Sequence, residues 1–122
     1  PIAYAISGTN RISKATAPID WSTKQNWEFM PIDNAKFPAV DLARRCGELG
    51  GGLPAIFNAA NEVAVEAFIN GAIPFIKIVD VVDATVQKLG GNSPITIGSL
   101  SDVSAIENDA RVLANQLVQE RK

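Results

Sequence analysis

From residue 37 onward, apolar residues recur at intervals of three and four, the spacing that gathers side chains on one face of an α-helix. Val103, Ile106, Ala110, Leu113 and Leu117 predict a helix running to about residue 120. Ser99 stands three residues before Asp102 at its start, a capping box with Asp in place of Glu. Phe75, Ile78, Val79, Val82, Val86 and Leu89 fall within a stripe of roughly 100° and predict a helix over 76–89 that ends at Gly90-Gly91. An earlier helix, over 37–49, opens with Phe37-Pro38 and stops at Gly50-Gly51-Gly52. Val40, Leu42, Ala43 and Cys46 are expected inward on it, with Arg44 and Arg45 outside. The helix over 54–70 carries Pro54 in its first turn and is followed by Gly71. Ile56, Ala60, Val63 and Ala67 lie on one of its faces, and Val65 and Ile69 interrupt the other. A helix apolar on most sides is a central element. Short links favour antiparallel neighbours, so the simplest architecture is a bundle of four helices.

Ahead of the bundle the pattern changes. Residues 1–7 open with a short apolar stretch (PIAYAI) whose proline suits a first helical position. Residues 8–36 read as a connector, punctuated by Gly8, Asn10, Pro18, Asp20, Pro31 and Asp33. Connectors of this length are uncommon inside a compact domain. This one holds Trp21, Trp27, Phe29 and Met30, and residues 27–30 alternate as a short strand does, with Trp27 and Phe29 on one side. The expectation is that these aromatics pack on a partner or domain outside the chain. The expected fold is therefore mainly α: a four-helix-bundle-like domain over 37–122, preceded by an extended linker with one short strand.

Composition narrows the function. With 122 residues, 47% of them hydrophobic and 20% charged, the chain has the material for one folded core. No stretch approaches the roughly 20 apolar residues of a membrane span. A formal charge of −2, divided as +2 over residues 1–45 and −4 over the rest, argues against a nucleic-acid binder. There is one Cys and no His, which excludes a disulfide framework, zinc-finger spacing and any mechanism that needs imidazole.

Candidate chemistry is sparse. Asn58, Asn61 and Glu62 share a face of the 54–70 helix and form a candidate polar cluster, expected to be structural, because amides on a half-buried face must find hydrogen bonds. Three carboxylate pairs, Glu62/Glu66, Asp80/Asp83 and Glu107/Asp109, lack the further oxygen ligands that a divalent cation requires. Gly50-Gly51-Gly52 precedes a helix but has neither a strand before it nor the Lys and Ser/Thr of a phosphate loop. Cys46 is expected in the core. No nucleophile, base and orienting group come together, so no catalytic, cofactor or metal residue is assigned.

One run is more specific than any of these. Phe37-Pro38-Ala39-Val40-Asp41-Leu42-Ala43, the glycines, and then Leu53-Pro54-Ala55-Ile56-Phe57-Asn58-Ala59-Ala60-Asn61-Glu62-Val63-Ala64-Val65-Glu66-Ala67-Phe68 resemble the C-terminal part of the 1-deoxy-D-xylulose 5-phosphate reductoisomerases. That family carries an FPxxxLA segment, a Gly-rich gap and an LNAANE-type helix ending in EAF. PIAYAIS at residues 1–7 is similar to the end of the family's catalytic domain, and residues 27–29 are similar to its linker. The resemblance spans nearly the whole chain and only about the last third of a family member. Two departures stand out. The family's Asp-Ile-Pro at the start of the third helix is Lys77-Ile78-Val79 here, which removes a cap and a helix-starting proline. Near Ile106-Glu107 the family's capping Asp is absent, so a straighter or frayed fourth helix is expected.

The resemblance implies a bacterial cytoplasmic or plastid enzyme that uses NADPH and a divalent cation (Mg²⁺ or Mn²⁺). It converts 1-deoxy-D-xylulose 5-phosphate to 2-C-methyl-D-erythritol 4-phosphate in non-mevalonate isoprenoid synthesis, and its members are homodimers. The residues for that chemistry would all lie upstream of Pro1, so this chain would be a non-catalytic part with no cofactor of its own. Its partners would be the N-terminal and catalytic domains of the same protein, with Trp21, Trp27 and Phe29 as interdomain contacts and no role in binding membranes or nucleic acid. A start at Pro1 without Met also points to a fragment. The alternative from the residues alone is a free-standing helical interaction module.

Overall fold

A computed structural model describes residues 2–8, 10–13, 15–91 and 93–120. The chain divides into two compact units, Pro1–Pro31 and Ile32–Lys122. The first contains one short helix, α1 (Ile2–Ile6), closed by Ser7, whose N–H donates to the Ala3 carbonyl at 3.0 Å. Further along, Asp20 organises a turn by accepting from the Ser22 N–H at 2.9 Å and its hydroxyl at 2.6 Å. The short strand expected at 27–30 does not form: among the described residues the only β-type pairing is an isolated bridge between Gly51 and Ile95. Alternation alone does not make a strand, because the ladder hydrogen bonds must come from a neighbouring backbone.

The second unit holds α2 (Ala39–Leu49), α3 (Leu53–Ile69), α4 (Lys77–Leu89) and α5 (Leu100–Gln119). As its apolarity implies, α3 is central and packs against α2, α4 and α5. Leu53, Ile56, Ala59, Ala60 and Ala64 are all fully buried, and three alanines in this row let neighbouring helices approach α3 closely. Leu42 and Cys46 close the core from α2; Val81, Val82 and Val86 close it from α4; Ala110, Ala114, Leu117 and Val118 close it from α5.

Helix ends follow the local chemistry. The Ser99 capping box is formed: its hydroxyl accepts from the Asp102 N–H at 3.2 Å, and the Asp102 carboxylate accepts from the Ser99 N–H at 2.9 Å. α3 stops in a Schellman arrangement, in which Ala72 N–H donates to Ala67 and Gly71 N–H to Phe68, with Gly71 at φ 70°. Where the proline-containing start is missing, α4 begins without a side-chain cap, and Lys77 pairs with Asp80 at 2.7 Å across the first turn. α5 runs unbroken from Leu100 to Gln119, straight through Ile106-Glu107.

Inward faces differ from the expected ones in detail. On α2, Val40 and Ala43 are exposed, whereas Arg45 is half-buried beside α4. Phe75, just ahead of α4, and Leu89 at its end are exposed, and the buried row on α4 is Val81, Val82, Thr85 and Val86. Because α3 and α5 both contact α4, its buried stripe is centred between them rather than on the most apolar arc. Thr85 is tolerated there because its hydroxyl donates to the Val81 carbonyl at 2.8 Å.

Candidate functional site

The polar cluster on α3 is an inter-helix tie. Asn58 Nδ2 donates to Glu62 Oε1 at 2.9 Å, one helical turn along, and Arg111 Nη2 of α5 donates to Glu62 Oε2 at 2.7 Å. The same guanidinium reaches Glu107 Oε2 at 3.3 Å. Arg111, with Asn58 as a smaller contributor, holds the Glu62 carboxyl below the usual carboxylate range. Glu62 in turn raises the guanidinium's pKa further. Asn58 and Glu62 are exposed, and Asn61 is half-buried beside them. A carboxylate already neutralised by Arg111 is a weak base and a weak metal ligand. Arg111 lies 49 residues from Glu62 in sequence, and only its four-residue spacing from Glu107 marks it as an ion-pairing residue.

Three further carboxylates are similarly engaged. Asp83 pairs with Arg45 at 2.8 Å and Asp80 with Lys77 at 2.7 Å, while Asp41 faces Arg44 at 3.5 Å. All three acids rim an open cleft of about 350 Å³ between α2 and α4, floored by Leu42 and Val79. Among the described residues no group of three or more His, Cys, Asp or Glu converges where a metal ion could sit. Burial pushes the Cys46 thiol up, and the neighbouring Arg45 offsets this only in part, so Cys46 is a core side chain rather than a nucleophile.

The glycine run is likewise committed to the fold. Gly50 N–H donates to the Cys46 carbonyl at 3.0 Å and Gly52 N–H to the Ile95 carbonyl at 2.9 Å. An anion at this helix start would have to displace the second bond. In the first unit, Ile2, Tyr4, Ile6, Ile12 and Pro18 line an open apolar depression of about 850 Å³, and the Arg11 guanidinium sits 5.4 Å from the Tyr4 ring centre. Trp21, Trp27 and Phe29 are 77%, 61% and 85% exposed.

Comparison with known proteins identifies the family in which these helices belong. A family model described as the DXP reductoisomerase C-terminal domain matches residues 1–113. The chain belongs to this family. The 1-deoxy-D-xylulose 5-phosphate reductoisomerase of Streptomyces coelicolor is 45% identical over 117 residues, which is 96% of this chain and 28% of that protein. The Corynebacterium glutamicum enzyme of the same name is 44% identical over 119 residues, 97% of this chain and 30% of its own length. Among solved structures, the reductoisomerase from Zymomonas mobilis in complex with NADPH superposes with a TM-score of 0.75 at 35% identity, covering 96% of this chain and 30% of that one. The chain thus spans under a third of the length of the relatives it matches.

Proposed function

We propose that the chain is the linker and C-terminal helical domain of a 1-deoxy-D-xylulose 5-phosphate reductoisomerase, and that it is not catalytic by itself. The parent enzyme isomerises 1-deoxy-D-xylulose 5-phosphate and reduces the product to 2-C-methyl-D-erythritol 4-phosphate. NADPH supplies the hydride there and a divalent cation, Mg²⁺ or Mn²⁺, polarises the substrate oxygens. None of this chain's residues is assigned to either, which is consistent with the pairing of Glu62, Asp80 and Asp83 by basic side chains. The carrying observation is the match of residues 1–113 to a family defined as a C-terminal domain, at 28–30% of the length of relatives such as the Streptomyces and Corynebacterium enzymes.

In this reading residues 1–7 finish the catalytic domain, 8–36 form the linker and 37–122 the helical domain. Trp21, Trp27 and Phe29 are contacts to the preceding domains, and Asn58, Asn61 and Glu62 serve to seat α3. The parent is a homodimer, cytoplasmic in a bacterium or plastid in a plant or alga. No helix among the described residues is long and apolar enough to cross a membrane. The test is direct: purified chain is mixed with 1-deoxy-D-xylulose 5-phosphate, NADPH and Mg²⁺ or Mn²⁺, and NADPH absorbance is followed. No oxidation above the protein-free blank is expected from the chain, whereas the full-length polypeptide turns over. Turnover by the chain, or none by the full-length protein, refutes the proposal.

A further inference from the structure

The four helices of the unit Ile32–Lys122 are unequally held. α3, α4 and α5 each pack on the other two, whereas α2 packs mainly on α3. Only Leu42 and Cys46 are buried on α2, against five residues on α3 and four each on α4 and α5. No side chain caps α2 at Pro38, and its last turn carries no basic residue to meet the free carbonyls. Between α2 and α4 lies the open cleft of about 350 Å³. The tie across it, Arg45 to Asp83 at 2.8 Å, joins side chains that are 42% and 51% exposed. An ion pair that water reaches contributes little.

The link from α2 to α3 has a fixed side and a free side. Gly52 N–H is fastened to the Ile95 carbonyl at 2.9 Å, and Gly51 lies against the same backbone. Gly50, one residue earlier, has φ 71° and ψ −150°, and nothing stands within 4 Å of where a Cβ would sit. Ahead of α2, the Asp33 carbonyl accepts from the Lys36 and Phe37 N–H groups, bonds local to that turn. A local opening costs only the apolar surface and the bonds that it gives up, which here are few. An isolated helix of 11 residues is also too short to persist in water. We infer that α2 is a strap: it opens as a unit from the α3–α4–α5 core, pivoting at Gly50 and unwinding, while that core stays folded. Opening uncovers Leu42 and Cys46, which are 7% and 1% exposed when α2 is seated.

Two probes on the full-length polypeptide test this. N-ethylmaleimide pulses, read by digestion and mass spectrometry, report alkylation at Cys46, whose thiol is reachable only when α2 is away. Amide hydrogen exchange on the same sample, where reclosing outpaces exchange, reports on α2 and on α3 to α5. The α2 amides and the Cys46 thiol are expected to give one opening equilibrium, about tenfold or more above that of the slowest α3 amides. Val118 is buried on α5, which packs on α3 and α4, so Val118→Ala is expected to speed exchange of the slowest α3 amides several-fold and leave Cys46 alkylation unchanged. Equal opening at Cys46 and at the slowest α3 amides in the wild type overturns the inference. So does alkylation that rises with Val118→Ala in step with α3 exchange, or fast exchange throughout α3 to α5, which would leave no closed core for α2 to open from. Neither probe depends on NADPH turnover, so the result bears on α2 and not on the function proposed above.

Discussion

Gly51 is a point of close backbone approach in the helical unit, and replacing it with alanine separates two effects that usually travel together. Gly51 has φ 57°, where an L side chain is strained, and a Cβ there would lie 2.9 Å from the Ile95 amide nitrogen and closer still to its carbonyl oxygen. Gly71 has a similar φ of 70° but open space around a built Cβ. Left-handed backbone alone costs about 1–2 kcal/mol, which is the whole expectation for Gly71→Ala. Gly51→Ala must also push back the backbone at Ile95, losing the 2.9 Å bond from Gly52 N–H to the Ile95 carbonyl. A hydrogen bond is worth about 1 kcal/mol net, with more if the buried donor is left unpaired, so Gly51→Ala should cost about 2–4 kcal/mol in total. Urea unfolding of both variants, followed by helical circular dichroism, measures the difference. In a unit of this size each kilocalorie also lowers Tm by about 4–8 °C, so the two variants should melt well apart. Equal destabilisation by the two substitutions would refute the close-approach argument and leave only backbone strain.

Two further predictions use the same assay. Leu53 is fully buried at the start of α3, so Leu53→Ala should cost about 2–5 kcal/mol through lost transfer energy and a residual cavity, whereas Leu100→Ala, at an exposed position, should stay within about 0.5 kcal/mol; similar costs would contradict the assigned core. The Asp102 carboxyl is held below the usual range first by the Gly98 N–H and then by Ser99, and Glu62 is held low by Arg111. Groups with a lowered folded pKa bind protons more tightly when unfolded, so their stabilisation is present above the unfolded carboxylate pKa and is lost as pH falls through the folded one. Stability should therefore decline across the acid range, and Asp102→Asn should flatten that slope; an unchanged slope in the variant would show that the cap carries none of it.

Much of the helical unit was legible in sequence because its cues are local. The three- and four-residue spacings, Gly71 after α3, Gly90-Gly91 after α4 and the Ser99–Asp102 box each act within a turn or two of chain, and helices formed at those places. The centrality of α3 was equally readable, since a helix apolar on most sides has few other positions in a bundle. The composition was informative about chemistry for a similar reason: with no His in the chain, no folding can bring one into a site.

What tertiary structure decided is the identity of neighbours. Nothing near Glu62 in sequence marks Arg111 as its partner; the crossing of α3 and α5 brings them to 2.7 Å. Val40 and Ala43 read as inward and lie exposed, while Arg45 reaches Asp83 of α4, because α2 packs mainly on α3 and covers only part of its own apolar arc. The alternation at 27–30 gave no strand because a strand is a property of two backbones, and no second one pairs with it among the described residues. Periodicity in a chain fixes which elements form and where they stop, since those forces act within a few residues. Which face is buried, and which charge meets which, depends on contacts between residues far apart in sequence.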